Sequence, residues 1–192
     1  MIERYTRPEM GHLWSIQNEW QTILNVEIAA CEAMAELGEI PTAAVENIKK
    51  NARFDVARIN EIEKTTDHDI IAFLTNLEEN VGEDSKYIHK GLTSSDVKDT
   101  AYCIMMRDAA AIIEGDLHAF REVLRRRAEE FRHTPCIGRT HGIHAEPMTF
   151  GLKLLLWSAE IERDIERLTR AKEVVSVGKL SGAVGTYSNI DP

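Results

Sequence analysis

Three short polar segments concentrate the residues able to do chemistry. Gly138-Arg-Thr-His-Gly-Ile-His-Ala-Glu-Pro-Met148 packs an Arg, a Thr, two His and a Glu into a short stretch punctuated by glycine. It joins two long stretches of helical periodicity. A connector that only turned a corner would use a few small polar residues. This one carries proton donors and acceptors, as a functional loop on a rigid scaffold does. Upstream lie Thr65-Thr-Asp-His-Asp69 and His89-Lys-Gly-Leu-Thr-Ser-Ser-Asp96, both at expected helix boundaries.

Each segment has a plain structural reading beside its chemical one. Thr93-Ser-Ser-Asp96 fits a capping box at the start of a long helix. Such a start also offers free N–H groups and partial positive charge, with the Thr93 and Ser94 hydroxyls as extra donors for a carboxylate or phosphate. His89 and Lys90 add a cationic option. In the second segment Asp67 or Asp69 reads as an N-cap and His68 as a surface residue. Alternatively the two acids hold His68 in one tautomer as a poised donor. His141 and His144 lie three apart, but Gly142 interrupts them and only Glu146 could complete a ligand set. A general acid at His141 fits better than a metal site, and His144 reads as a turn residue bonding backbone.

The elements that must position these groups are helical. Leu13, Ile16, Trp20, Ile23, Leu24, Ile28, Cys31 and Met34 keep helical spacing, with Pro8 suited to the first turn and Gly38 and Pro41 to the stop. Thr42 and Asp55 read as N-caps of helices near 42–52 and 55–65. Ile70, Phe73, Leu74, Leu77 and Val81 form a further stripe that Gly82 ends. From about Ser95 to Arg132 there is no proline and one glycine, Gly115. A second long pattern runs from Met148 to Val175. The expectation is an all-α fold. A short-helix region over 1–93 precedes long antiparallel helices of an elongated, incomplete bundle over 94–192. The tail from Val177 has glycines at 178, 182 and 185 and no helical period, which suits tight turns with close backbone approach.

Bulk properties narrow the partners. The chain has 192 residues, 43% hydrophobic and 29% charged, with net charge −9 and a pI near 5.3. An acidic chain without a basic face disfavours nucleic acid. Arg125-Arg-Arg127 sits beside Glu122, Glu129 and Glu130, a solvated ion-paired face. Cys31, Cys103 and Cys136 are odd in number and far apart, so neither a disulfide framework nor a zinc site is expected. There is no signal-peptide pattern and no apolar run of roughly 20 residues. A cytoplasmic protein without membrane contact follows as the expectation.

Taken in order, Arg4-Tyr5, Lys64-Thr-Thr-Asp-His-Asp69, His89–Asp96, Gly138-Arg-Thr-His141 and Ser181-Gly-Ala-Val-Gly185 resemble the N-terminal part of adenylosuccinate lyases, within the fumarase/aspartase superfamily. The resemblance covers the chain from end to end. It implies β-elimination of fumarate from adenylosuccinate, or from its carboxamide-ribotide analogue, in purine synthesis, with no cofactor. It also implies His141 as general acid, and Thr93 and Ser94 as binders of the succinyl carboxylates. Asp67, His68 and Asp69 would form a substrate-contacting segment, Arg4 and Tyr5 a nucleotide contact, and His89 a phosphate partner. The implied partners are small molecules (adenylosuccinate, fumarate, AMP) and further copies of the chain, in a homotetramer whose sites draw on several subunits. The family's loop Ser-Ser-x-Met-Pro-x-Lys-x-Asn, which carries the serine taken as base, is not among these 192 residues. Only Ser94-Ser95 is a Ser-Ser pair, and Asp-Val follows it. The expectation is an N-terminal portion, inactive alone. Two alternatives stand beside it: another superfamily lyase or carboxymuconate-type cycloisomerase, and a non-catalytic helical assembly module.

Overall fold

The computed structural model describes residues 2–190. Those residues form seven α-helices and one two-stranded sheet. They fall into two compact units. One holds the residues up to Met105 together with those from Val177 onward, and the other spans Met106–Ser176.

The first unit begins with a 3-10 turn, Glu3–Tyr5, and then α1, Pro8–Leu13. The periodic stripe read as one helix from Pro8 is broken at Trp14. Ser15 leaves the helical region, and its hydroxyl accepts the Asn18 N–H at 3.2 Å. That cap starts α2, Ile16–Glu36. Helix α3, Thr42–Asn51, is preceded by Pro41 as the capping residue, so Thr42 is its first helical residue and not the cap. Proline's fixed φ and missing N–H suit a helix start without any side-chain bond. Asp55 does cap α4, Val56–Thr66, through the Arg58 N–H at 2.9 Å. Helix α5 spans Asp69–Val81 and ends at Gly82, φ 75°.

The apolar stripes of these helices meet in one core. Ile23, Cys31, Ile48, Ile59, Ile70, Phe73, Leu77 and Val97 are buried there. Phe73 stacks on Trp20 with centroids 4.8 Å apart and meets Phe54 edge-on at 5.9 Å. Burial of one such side chain contributes roughly 2–3 kcal/mol. The tail belongs to this unit. Thr100 accepts the Lys179 N–H at 2.9 Å and donates to the Lys179 carbonyl at 3.1 Å.

Helix α6, Ser94–Glu130, is 37 residues long, about 55 Å at ~1.5 Å per residue, and its sequence passes from the first unit into the second. In the second unit it is followed by β1, Pro135–Thr140, β2, Ile143–Thr149, and α7, Phe150–Val175. Arg121 and Arg125 pair with Glu162, and Thr169 and Lys172 with Glu114. Those pairings make α6 and α7 antiparallel. Leu124, Ala128 and Leu154 are the buried cluster between them, with Phe131, Phe150 and Ile161 packed around it. At the corner, a Cβ on Gly151 would lie 2.4 Å from the Ala128 carbonyl oxygen, so only glycine lets α7 begin there.

Candidate active site

The start of α6 is built by two left-handed residues, His89 (φ 62°) and Gly91 (φ 74°). They turn the chain out of the 3-10 segment Gly82–Tyr87 and into the helix. A Cβ at Gly91 would come within 2.5 Å of the Asn189 carbonyl oxygen, so the tail passes directly over this turn. Asp96 returns to the Thr93 N–H at 2.9 Å, the carboxylate half of a capping box.

The cap is only part of what Asp96 does. Its carboxylate also accepts from Lys179 Nζ at 2.7 Å, from the Ser181 N–H at 2.9 Å and from the Gly182 N–H at 3.2 Å. It is 1% exposed. Burial pushes its carboxyl up, but the Lys179 ammonium and the Ser181, Thr93 and Gly182 N–H groups outweigh that. The net position is below the usual carboxylate range. Gly182, at φ 79°, supplies the close backbone approach its spacing suggested. The tail is thereby pinned to the first turn of α6. The Thr93 and Ser94 hydroxyls stay half-buried at a helix N-terminus, with no hydrogen bond to any described residue.

Asp69 ties α5 to the same place. Its Oδ1 accepts the Ile70 N–H at 2.7 Å and its Oδ2 pairs with Lys98 Nζ at 2.5 Å. Burial pushes this carboxyl up too, and the bond to Lys98 and the Ile70 N–H bring it below its ordinary value. The N-cap of α5 is neither Asp67 nor Asp69. It is His68, whose Nδ1 accepts the Ile71 N–H at 3.4 Å. Asp67 closes α4 instead, in the left-handed region at φ 49°. Asp69 Oδ1 lies 3.5 Å from the same Nδ1, so a flanking acid and a helix N–H both face this edge of His68. With Nδ1 accepting from Ile71, the ring carries its proton on Nε2. Its exposed edge is an N–H donor.

His89 is held differently. Its backbone N–H donates to Glu27 Oε2 at 3.0 Å, and its Nδ1 lies 2.5 Å from Glu27 Oε1. Glu27, in the middle of α2, is fully buried. Arg4 and Tyr5 are exposed on the first 3-10 turn, with the Arg4 guanidinium 4.7 Å from the Tyr5 ring centroid.

The connector expected as a compact loop is a β-hairpin. Thr140 faces Ile143, and His141-Gly142 forms the two-residue turn with φ 52° and 72°. Positive φ at both turn positions matches the twist of the strands. Gly138 marks a bulge between Ile137 and Arg139, where a Cβ would be 2.9 Å from the Glu146 carbonyl oxygen. Arg139 faces His144, and its Nη2 lies 3.3 Å from His144 Nε2. The two histidines therefore differ. His144 is engaged across the strands, whereas His141 is exposed at the tip with no side-chain partner among the described residues. No group of three or more His, Cys, Asp or Glu side chains gathers as a metal site among the described residues. No described helix is long and apolar enough to cross a membrane.

The structure thus groups His68, Asp69, His89, Thr93 and Ser94 in the first unit, at the starts of α5 and α6. His141 stands on the hairpin of the second unit. Residues 3–192 match the model of a lyase family. The chain belongs to that lyase family. Over its full length it is 53% identical to adenylosuccinate lyase of Bacillus subtilis and 54% identical to that of Synechocystis, covering 44% of each. This lyase chain therefore spans less than half the length of the curated relatives it matches. Among solved structures, it aligns over 94% of its length with 43% of a fumarate lyase from a Mesorhizobium species, at 33% identity and a TM-score of 0.88. It also aligns over 96% of its length with 44% of a 3-carboxy-cis,cis-muconate lactonizing enzyme from Pseudomonas putida, at 30% identity and a TM-score of 0.89.

Sequence reasoning missed Glu27, Lys98 and Lys179 in the lyase, and gave Asp96 only its cap. Glu27 had a signal: it falls on the apolar face of α2, between Leu24 and Cys31. An acid on a buried stripe needs a partner. The pairings of Lys98 and Lys179 depend on the way the chain folds back, and local pattern does not report them.

Proposed function

We propose that this chain supplies the acid and the anion-holding groups of an enzyme that eliminates fumarate from adenylosuccinate. The observation that carries the reading is the identity of more than half its residues with adenylosuccinate lyases along its whole length. The geometry supports it. In the elimination a base takes a proton from the carbon next to a carboxylate, the C–N bond breaks, and its electrons leave on nitrogen as the C=C bond of fumarate forms. His141, at the hairpin tip with no side-chain partner among the described residues, gives its proton to the departing nitrogen. Thr93 and Ser94 hold the succinyl carboxylates at the positive end of α6, where charge builds up as the proton leaves. His68 offers its Nε2–H, and His89 and the Arg4–Tyr5 turn meet the phosphate and nucleotide. Asp67 and Asp69 act by shaping the His68 segment.

The same reading gives the whole enzyme AMP and fumarate as products, a place in purine synthesis, the cytoplasm as its compartment, and a homotetramer as its working form. Support for association comes from the second unit, where Leu152, Leu155, Leu156 and Trp157 are exposed along α7. Beside them lies a cavity of about 620 Å³ lined by Ile137, Met148, Leu152 and Leu156. The muconate lactonizing enzyme favours a cycloisomerase reading by fold. Its 30% identity is well below the 53% of the Bacillus subtilis lyase, so elimination is preferred.

A chimera tests the proposal. These residues replace the matching 44% of the Bacillus subtilis enzyme, and AMP formation is followed by its ultraviolet change. Turnover is expected. His141→Ala should then lower kcat by ~10²–10⁴ with little change in KM. Thr93→Ala should weaken substrate and transition state together. A folded, tetrameric chimera without turnover, or one indifferent to His141→Ala, overturns the assignment. The 192-residue chain alone, without the serine loop, should show no turnover.

A further inference from the structure

The feature that goes furthest is the buried carboxylate of α2. Glu27 has no exposed surface, and both its oxygens are taken by one residue. Oε2 accepts the His89 backbone N–H at 3.0 Å, and Oε1 lies 2.5 Å from His89 Nδ1. His89 is itself in the left-handed region at φ 62°, where a residue with a Cβ is strained. An ionised Glu27 can only accept, and Nδ1 then carries the proton toward it. The His89 side chain is mostly buried, 15% exposed. Burial of an acid inside an apolar stripe is unfavourable unless it is fully bonded, and among the described residues His89 supplies both of its partners. The helix could have used a leucine at this position if packing were the only need.

We propose that Glu27 is a positioning residue for His89: it holds the strained backbone and fixes the imidazole with Nδ1–H inward and Nε2 outward. This rests on the reading of His89 as the residue that meets the phosphate, and deepens it: phosphate oxygens accept, so the ring that meets them carries a proton on Nε2 as well as on Nδ1. The device is the same in kind as the carboxylate that orients the histidine of a hydrolase triad. It differs from the arrangement at His68, whose Nδ1 accepts and whose Nε2 carries the proton. Both histidines therefore turn Nε2 outward, but their Nδ1 atoms play opposite roles, toward a buried acid at His89 and toward a helix N–H at His68.

Long-range ¹H–¹⁵N correlation of the imidazoles of the 192-residue chain at neutral pH reads the proton on His89 Nδ1 directly. The expected result is a persistently protonated Nδ1 in the unaltered chain and loss of that preference in Glu27→Gln. The amide has one acceptor for two N–H groups, and its NH₂ can force Nδ1 to accept. Glu27→Asp, which keeps the charge, should retain the proton and serves if Glu27→Gln unfolds by circular dichroism. A bare Nδ1 in the unaltered chain, or an unchanged one in folded Glu27→Gln, overturns the proposal. Titration with inorganic phosphate forms the second arm. Shifts at His89 that weaken about tenfold in both Glu27→Gln and His89→Ala, and no further in the double variant, support the linked roles. If phosphate leaves His89 unmoved while the Nδ1 result holds, the phosphate reading fails and the positioning by Glu27 stands.

Discussion

The two units of this lyase chain use helices in opposite ways. In the first, α2 to α5 and the beginning of α6 wrap one core, where Phe73, Ile48, Ile59, Ile70 and Val97 lose all contact with solvent. In the second, two long antiparallel helices and a hairpin bury only Leu124, Ala128 and Leu154 as a cluster, while Leu152, Leu155, Leu156, Phe120 and Val123 remain exposed. Short helices can surround a centre. Two long helices share a single seam, and the opposite apolar face of each needs a further layer. The difference teaches where stability is set and how each unit holds its candidate groups. The first unit fixes its histidines and helix starts internally, through Glu27, Asp96 and Lys98. The second presents His141 from a rigid two-residue turn on a scaffold that is itself thinly packed.

This contrast can be broken at its strongest point first. Phe73→Ala removes the ring between Trp20 and Phe54 and should cost ~3–5 kcal/mol, read as a lower denaturant midpoint. Helices α3 to α5 should lose hydrogen-exchange protection together. If only α5 loosened, the first unit would not be one cooperative core. In the second unit Gly151→Val drives a side chain against the Ala128 carbonyl and the Arg132 backbone, a backbone clash that should cost about 3 kcal/mol. Its effect should appear at the α6–α7 seam and leave exchange around Phe73 unchanged. Spread into the first core would mean the two units unfold as one.

Asp96 sharpens the comparison through pH. Its carboxyl titrates below its ordinary value in the folded chain. Its contribution is therefore complete above the unfolded value, roughly pH 4, and is lost as the pH falls through the depressed folded one. Amides of Lys179, Ser181 and Gly182 should lose protection in that acid window. Asp96→Asn should lower their protection at neutral pH by ~2 kcal/mol and flatten the acid response. Retained protection in the variant would show that the Thr100–Lys179 bonds hold the tail without it. The smallest effect is a gain. Gly115 lies inside α6 with open space where a Cβ would go, so Gly115→Ala should stabilise by ~0.5–1 kcal/mol, seen as a small rise in Tm.

Much of the local design was legible in the residues. Gly82 ends α5 and Asp55 caps α4 as their types dictate, and the spacing of Ile70, Phe73, Leu77 and Val81 marks the buried face. Some local choices went the other way because two signals competed. Ser15 offered a cap inside an apolar stripe that reads as continuous, and Pro41 began α3 where Thr42 carried the usual capping hydroxyl. The hairpin was hidden by its shortness: Cys136, Ile137, Thr140 and Ile143 lie on strands of six and seven residues, and the bulge at Gly138 breaks their alternation.

By itself the sequence determined the helical class, helix ends such as those at Asp55 and Gly82, and the residue types able to protonate a nitrogen or hold an anion. Those follow from periodicity, φ preference and functional groups, which are properties of neighbours along the chain. Only the tertiary structure decided that Glu27 faces His89, that Lys98 reaches Asp69, and that Lys179 and Gly182 close on Asp96. Those partners are 62, 29, 83 and 86 positions apart. A buried carboxylate selects its donor by which backbone the fold brings within about 3 Å, and that distance is written nowhere in the local pattern.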